Sequence, residues 1–95
     1  MDPELPTGRI TIPKDVVRRA FGEETVLLNL ASGHYHGLNP TGGYMVGLLE
    51  QTGSAEEAAK RTADELGVPL DRVRADLAAL LEALAARGLV EISEG

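Results

Sequence analysis

The chain has 95 residues, which suits one domain with a modest core and not two. Apolar residues make up 43%, enough to fold, and the core must be aliphatic because Phe21, Tyr35 and Tyr44 are the sole aromatics. The absence of cysteine excludes disulfides and thiolate metal sites, and a net charge of −6 repels a phosphate backbone while leaving a peptide partner open.

No apolar run approaches the roughly 20 residues of a membrane span. The opening MDPELPTG has neither the basic region nor the apolar segment of a secretory signal, so a soluble, cytoplasmic protein is expected. These eight residues, with two Pro and one Gly, read as a flexible N-terminus ahead of a single domain over residues 9–92. Arg9 to Ile12 alternates and predicts a short strand. Residues 13–24 are open between a turn or two of helix, with Val16, Val17, Ala20 and Phe21 at helical spacing, and an irregular crossover.

Thr25 to Leu30 carries the strongest strand signal, with Val26, Leu28 and Leu30 on one face and Leu27 and Asn29 on the other. Ala31-Ser32-Gly33 has the composition of a three-residue hairpin loop with Gly in a left-handed conformation, and His34 to Leu38 is its partner strand. Asn39 then caps a helix whose first turn takes Pro40, where a missing N–H costs nothing.

That helix should run from Pro40 to about Gln51, with Thr41, Tyr44, Met45, Leu48 and Leu49 on one face. Gly42, Gly43 and Gly47 each cost about 1 kcal/mol of helix propensity, so tertiary packing must hold it, and they permit close approach of a neighbouring backbone. Thr52-Gly53 ends it. Ser54-Ala55-Glu56-Glu57 is a capping box that starts a second helix, and Gly67 supplies a left-handed stop after Leu66. A third helix begins between Pro69 and Asp71 and ends at Arg87. Val73, Leu77, Leu80, Leu81 and Leu84 form its stripe, and alanines spread a low surface around it. Leu89 to Ile92 suits a short last strand. Strands followed by three helices, the last two joined by the turn Gly67-Val68-Pro69, predict an α+β, winged helix-turn-helix-like fold with a three-stranded antiparallel sheet.

Nothing in the chain composes a catalytic centre. No Ser-His-Asp or Cys-His set is supported, and Gly42-Gly43 lacks the Lys and Gly spacing of a phosphate loop. His34 and His36 are spaced to chelate a metal but have no acidic or Cys neighbour, so they read as solvent-facing strand histidines. No cofactor or metal is expected, and the chain reads as a non-enzyme.

The run LLNLASGHYHGLNPTGG, the capped SAEEAA helix and VRADLAALLEALAARGLVE together resemble the PqqD-like family of precursor-recognition elements in peptide natural-product biosynthesis. Within that family the chain looks like the stand-alone B1 proteins of lasso-peptide pathways. The most specific parts are Gly33-x-Tyr35-x-x-Leu38-Asn39-x-x-Gly42, and Asp76 followed by the Leu-rich helix and Gly88-Leu89. The resemblance implies a leader-peptide binder. The precursor's leader would add as an antiparallel strand beside His34, Tyr35, His36, Gly37 and Leu38, and its side chains would settle in a groove along the third helix. On that helix Val73, Arg74, Asp76, Leu77 and Leu80 are the candidate contacts, with Leu77 core first and Val73 and Leu80 groove edges. Arg74 and Asp76 lie on opposite flanks of the stripe. The sequence leaves open which flank borders the groove, and Asp76 matches the family pattern. A partner leader peptidase, then a cyclase, would act on the bound precursor; no nucleic acid or membrane partner is implied.

Two other readings stand beside this one. Within the family, the alternative is a carrier presenting a peptide to a radical enzyme in quinone-cofactor (PQQ) synthesis. From another class comes a winged-helix DNA-binding regulator, whose recognition helix should expose Arg, Lys, Asn or Gln; this one mixes Arg72 and Arg74 with Asp71, Asp76 and Glu82. Arg9 to Phe21, RITIPKDVVRRAF, locally resembles the hairpin of AbrB-type transcription factors, but the chain beyond Phe21 resembles the other family.

Overall fold

Turn and cap signals place most of the element boundaries. The computed structural model describes residues 5–93. In chain order they form β1 (Arg9–Thr11), β2 (Val16–Phe21), β3 (Glu24–Asn29), β4 (Tyr35–Leu38), α1 (Pro40–Thr52), α2 (Ala55–Leu66), α3 (Leu70–Ala86) and β5 (Glu91–Ser93). The α+β class and the three-stranded antiparallel sheet followed by three helices are as expected. The sheet's membership is not: its order is β2-β3-β4, and β1 pairs with β5 in a separate two-stranded sheet.

Residues 16–21 are strand, not helix. Their helical spacing loses to two stronger local facts. Gly22, at φ +65, opens a two-residue turn into Glu24. Pairing from Val16↔Asn29 to Phe21↔Glu24 then sets all six residues against β3. Arg9–Thr11 is a strand as predicted, but its partner is the end of the chain, with Ile10 opposite Ile92. Ile10 is buried, and its N–H donates to the Gly53 carbonyl at 2.9 Å. Of the expected flexible N-terminus, residues 1–4 lie outside the described residues, and Leu5 already packs against the core.

Opposed residues of an antiparallel pair share a face of the sheet. Val16, Leu27 and Leu38 are buried, so the face carrying Arg18, Thr25, Leu27, His36 and Leu38 is turned toward the helices. Val17, Val26 and Leu28 lie half-buried on the opposite face beside exposed Phe21 and Tyr35. Leu30, expected to extend the strand, falls in the hairpin turn and is 63% exposed. That turn closes with Gly33 at φ +80, where a Cβ would be strained.

The α1 glycines do permit close approach, although their neighbours are side chains. A Cβ on Gly42 would meet Asn39 Oδ1 at 3.2 Å and Leu38, one on Gly43 would meet Thr25, and one on Gly47 would meet Arg18. Asn39 Oδ1 accepts the Gly42 N–H at 2.7 Å, the expected cap. The capping box of α2 is half realised. Ser54 Oγ accepts the Glu57 N–H at 3.1 Å, but Ser54's own N–H goes to Thr52 Oγ1, and Glu57 pairs with Arg61. The small face of α2 (Ala55, Ala58, Ala59 and Thr62) is buried, as are Val73, Leu77, Leu81 and Leu84 of α3. Each fully buried Leu contributes on the order of 1.5–3 kcal/mol. None of the three aromatics is in the core.

Candidate functional site: the open edge of β4 and one flank of α3

β4 is an edge strand, and hydrogen-bond alternation shows which of its groups are free. The Asn29 N–H donates to the His34 carbonyl at 2.9 Å, so that facing pair is a bonded one. Stepping by two, Leu27↔His36 and Thr25↔Leu38 are bonded as well. Tyr35 and Gly37 therefore turn their N–H and C=O groups away from β3. No strand among the described residues pairs with that edge. Gly37 has open space where a Cβ would stand, so nothing crowds an approaching backbone there.

Two clefts lie along α3, and the first of them opens on this edge. One, of about 760 Å³, is lined by residues 33–37 and by Ala86 and Arg87. The other, of about 220 Å³, sits where Thr41 and Met45 of α1, Thr62 and Leu66 of α2 and Val68 meet Arg72, Val73 and Asp76 of α3, with no residue of β4 in its lining. Helical steps of three or four residues carry Asp76 to Leu80, Ala83 and Arg87, along one line between the two clefts. From Asp76 to Ala86 the helix rises ~15 Å. An extended chain covers that distance in roughly four or five residues at ~3.3 Å each.

Arg74 lies elsewhere. Its guanidinium makes an ion pair and hydrogen bond with Glu56 of α2, on the flank away from β4. That hydrogen bond, helped by the charges of Glu56 and Asp71, raises its pKa further above the usual arginine value. Arg74 Nε is buried there without a partner. Of the predicted contacts, His34, Tyr35, His36 and Gly37 line the large cleft together with Ala86 and Arg87, Asp76 lines the small one, and Leu80 lies on the helical line between them. Val73 is buried and reaches the small cleft with one side. Leu77 and Leu38 are core, at 0% and 3% exposure, and Arg74 is separate from the rest. His36 is half-buried on the helix-facing side of the sheet, so the two histidines are not the wholly solvent-facing pair expected. Sequence reasoning passed over Ala83, Ala86, Arg87 and Met45 as site residues. The first three follow from helical spacing once the flank is known, whereas Met45 needed the packing of α1. No group of three or more His, Asp or Glu among the described residues could hold a metal ion, and no helix there is long and apolar enough to cross a membrane.

An unpaired strand edge beside an open helix flank, behind a three-stranded sheet and three helices, defines a recognition module with a peptide-sized groove. Residues 24–90 match the family described as Coenzyme PQQ synthesis protein D (PqqD), and the chain belongs to that family. Among solved structures it is similar to TbiB1 in complex with the TbiA(beta) leader peptide, at 34% identity and a TM-score of 0.77, covering 90% of this chain and 99% of that one. It is also similar to a lasso peptide synthetase B1 complexed with the leader peptide, at 25% identity and a TM-score of 0.76, covering 87% of this chain and 98% of the other. No curated protein matches it.

Proposed function

We propose that this protein binds the leader segment of a ribosomally made precursor of the lasso-peptide type and does no chemistry itself. The leader adds as a strand to β4, and its side chains enter the groove against α3. The observation that carries this reading is the outward main-chain pair of Tyr35 and Gly37, bordered by Ala86 and Arg87 at the end of α3. Main-chain hydrogen bonds supply affinity there, and alternate side chains supply register. Two similar structures hold leader peptides, and they match across nearly the whole chain, which favours the lasso-type role over the carrier of quinone-cofactor synthesis. His34, Tyr35, His36 and Gly37 are the strand contacts, and Val73, Asp76 and Leu80 the helix contacts. The bound precursor is then presented to a leader peptidase of the same pathway, and the cyclase acts after it. A cytoplasmic location suits that sequence of events.

The DNA-regulator alternative is disfavoured by α3, whose exposed residues mix Asp71, Asp76 and Glu82 with Arg72 and Arg87. Fluorescence anisotropy of the labelled leader peptide encoded beside this gene tests the assignment, with duplex DNA as control. Saturable leader binding and an indifferent duplex are expected. The reverse result would overturn it.

A further inference from the structure

The two ends of the groove differ in charge. At the small cleft Arg72 and Asp76 offset each other. At the large cleft, Arg87 stands across from His34 and His36, and no carboxylate among the described residues lines it. That is notable in a chain with fifteen Asp and Glu against nine Lys and Arg. Arg87 is exposed, and its Nη1 donates to the Ala83 carbonyl at 3.3 Å. This contact is what a cation at a helix C-terminus ordinarily makes, and alone it would give Arg87 a merely structural role. It uses one of five guanidinium donors, so most of the fork stays available.

The sheet geometry sets what lies opposite Arg87. Residues of even number in β4 face the helices, as buried Leu38 shows. His36 therefore projects from the groove side, with His34 two residues before it on the same alternation. A strand added to the Tyr35–Gly37 edge would lie ~4.8 Å from β4. Every second side chain of that strand would point toward α3. The one opposite this end would sit between the imidazoles and Arg87, three groups able to donate hydrogen bonds to an anion.

We propose that the cleft between β4 and the end of α3 is a carboxylate subsite of the peptide groove, in which Arg87, with His34 and His36, selects an Asp or Glu side chain on the bound strand. The proposal rests on the peptide-binding reading above and adds to it a charge requirement at one position.

The test is selection of random peptides displayed on phage against the full chain, run in parallel with Arg87→Glu and Arg87→Gln. The wild type should enrich Asp or Glu at one fixed position of an otherwise extended, apolar consensus. Arg87→Glu should shift that position to Lys or Arg. In anisotropy, a selected acidic peptide should bind Arg87→Glu about tenfold more weakly, and exchanging its acid for Lys should restore much of the loss. Circular dichroism of both variants checks folding, and Arg87→Gln, which stays polar and removes the charge, should lose the acid preference without acquiring a basic one. Enrichment of a consensus with no acidic position, or an acidic position unchanged in Arg87→Gln, would overturn the subsite and leave peptide binding intact. Failure of the wild type to select any peptide would overturn both.

Discussion

The two flanks of α3 are built from similar residues and have opposite fates. On one, Arg74 is paired with Glu56 and the neighbouring surface packs against the alanine face of α2. On the other, the line Asp76, Leu80, Ala83 and Arg87 runs between two clefts, and at its end Ala86 and Arg87 share a cleft with the unpaired edge of β4. Both flanks carry an arginine and several alanines, so composition does not distinguish them. What differs is the neighbour. α2 has a thin face that lets two helices close together, whereas β4 stops short of α3 and leaves its outer main-chain groups unpaired. The candidate flank is thus defined by what fails to cover it.

Substitutions at graded distances from the groove break or sharpen this contrast. Leu77→Ala, between the flanks and fully buried, should have the largest effect, a loss of about 2–5 kcal/mol of stability seen as a lower denaturant midpoint. If it leaves the midpoint in place, the division into core and groove is wrong. Gly37→Pro removes one outward N–H and no bond to β3. It should weaken leader binding about tenfold to a hundredfold in anisotropy while the circular dichroism spectrum stays helical. Unchanged affinity would move the docking edge elsewhere. Asp76→Arg should cost a smaller, several-fold loss of affinity with little change in melting temperature. A lowered melting temperature with full affinity would make Asp76 structural. Arg74→Gln should be the mildest: a slight drop in melting temperature, since exposed ion pairs contribute little, and unaltered leader affinity. A clear loss of affinity there would show that the groove extends to the flank facing α2.

Much of the fold was legible because its signals are local. Asn39-Pro40, Ser54 and Gly67 start or stop helices through caps and backbone conformation, and the structure keeps each of them. The hairpin between β3 and β4 was legible for the same reason. Residues 16–21 were not, since their apolar pattern fits a helix about as well as a strand and the contest was decided by pairing with β3. The partner of β1 was equally hidden, because Ile10 and Ile92 stand at opposite ends of the chain and no local pattern links them. At the site, the candidate strand could be read directly from His34 to Leu38, but Arg74 and Asp76 were equivalent until α2 claimed one of them.

By itself, then, the sequence determined the α+β class, the aliphatic core, the helix boundaries, the edge-forming strand and a family resemblance. Each depends on residue type and short-range spacing. The tertiary structure alone decided the membership of the sheet, which face of β3 met the helices, and which flank of α3 stayed open. Those depend on contacts between residues far apart in the chain, where burial and hydrogen-bond satisfaction outweigh local preference.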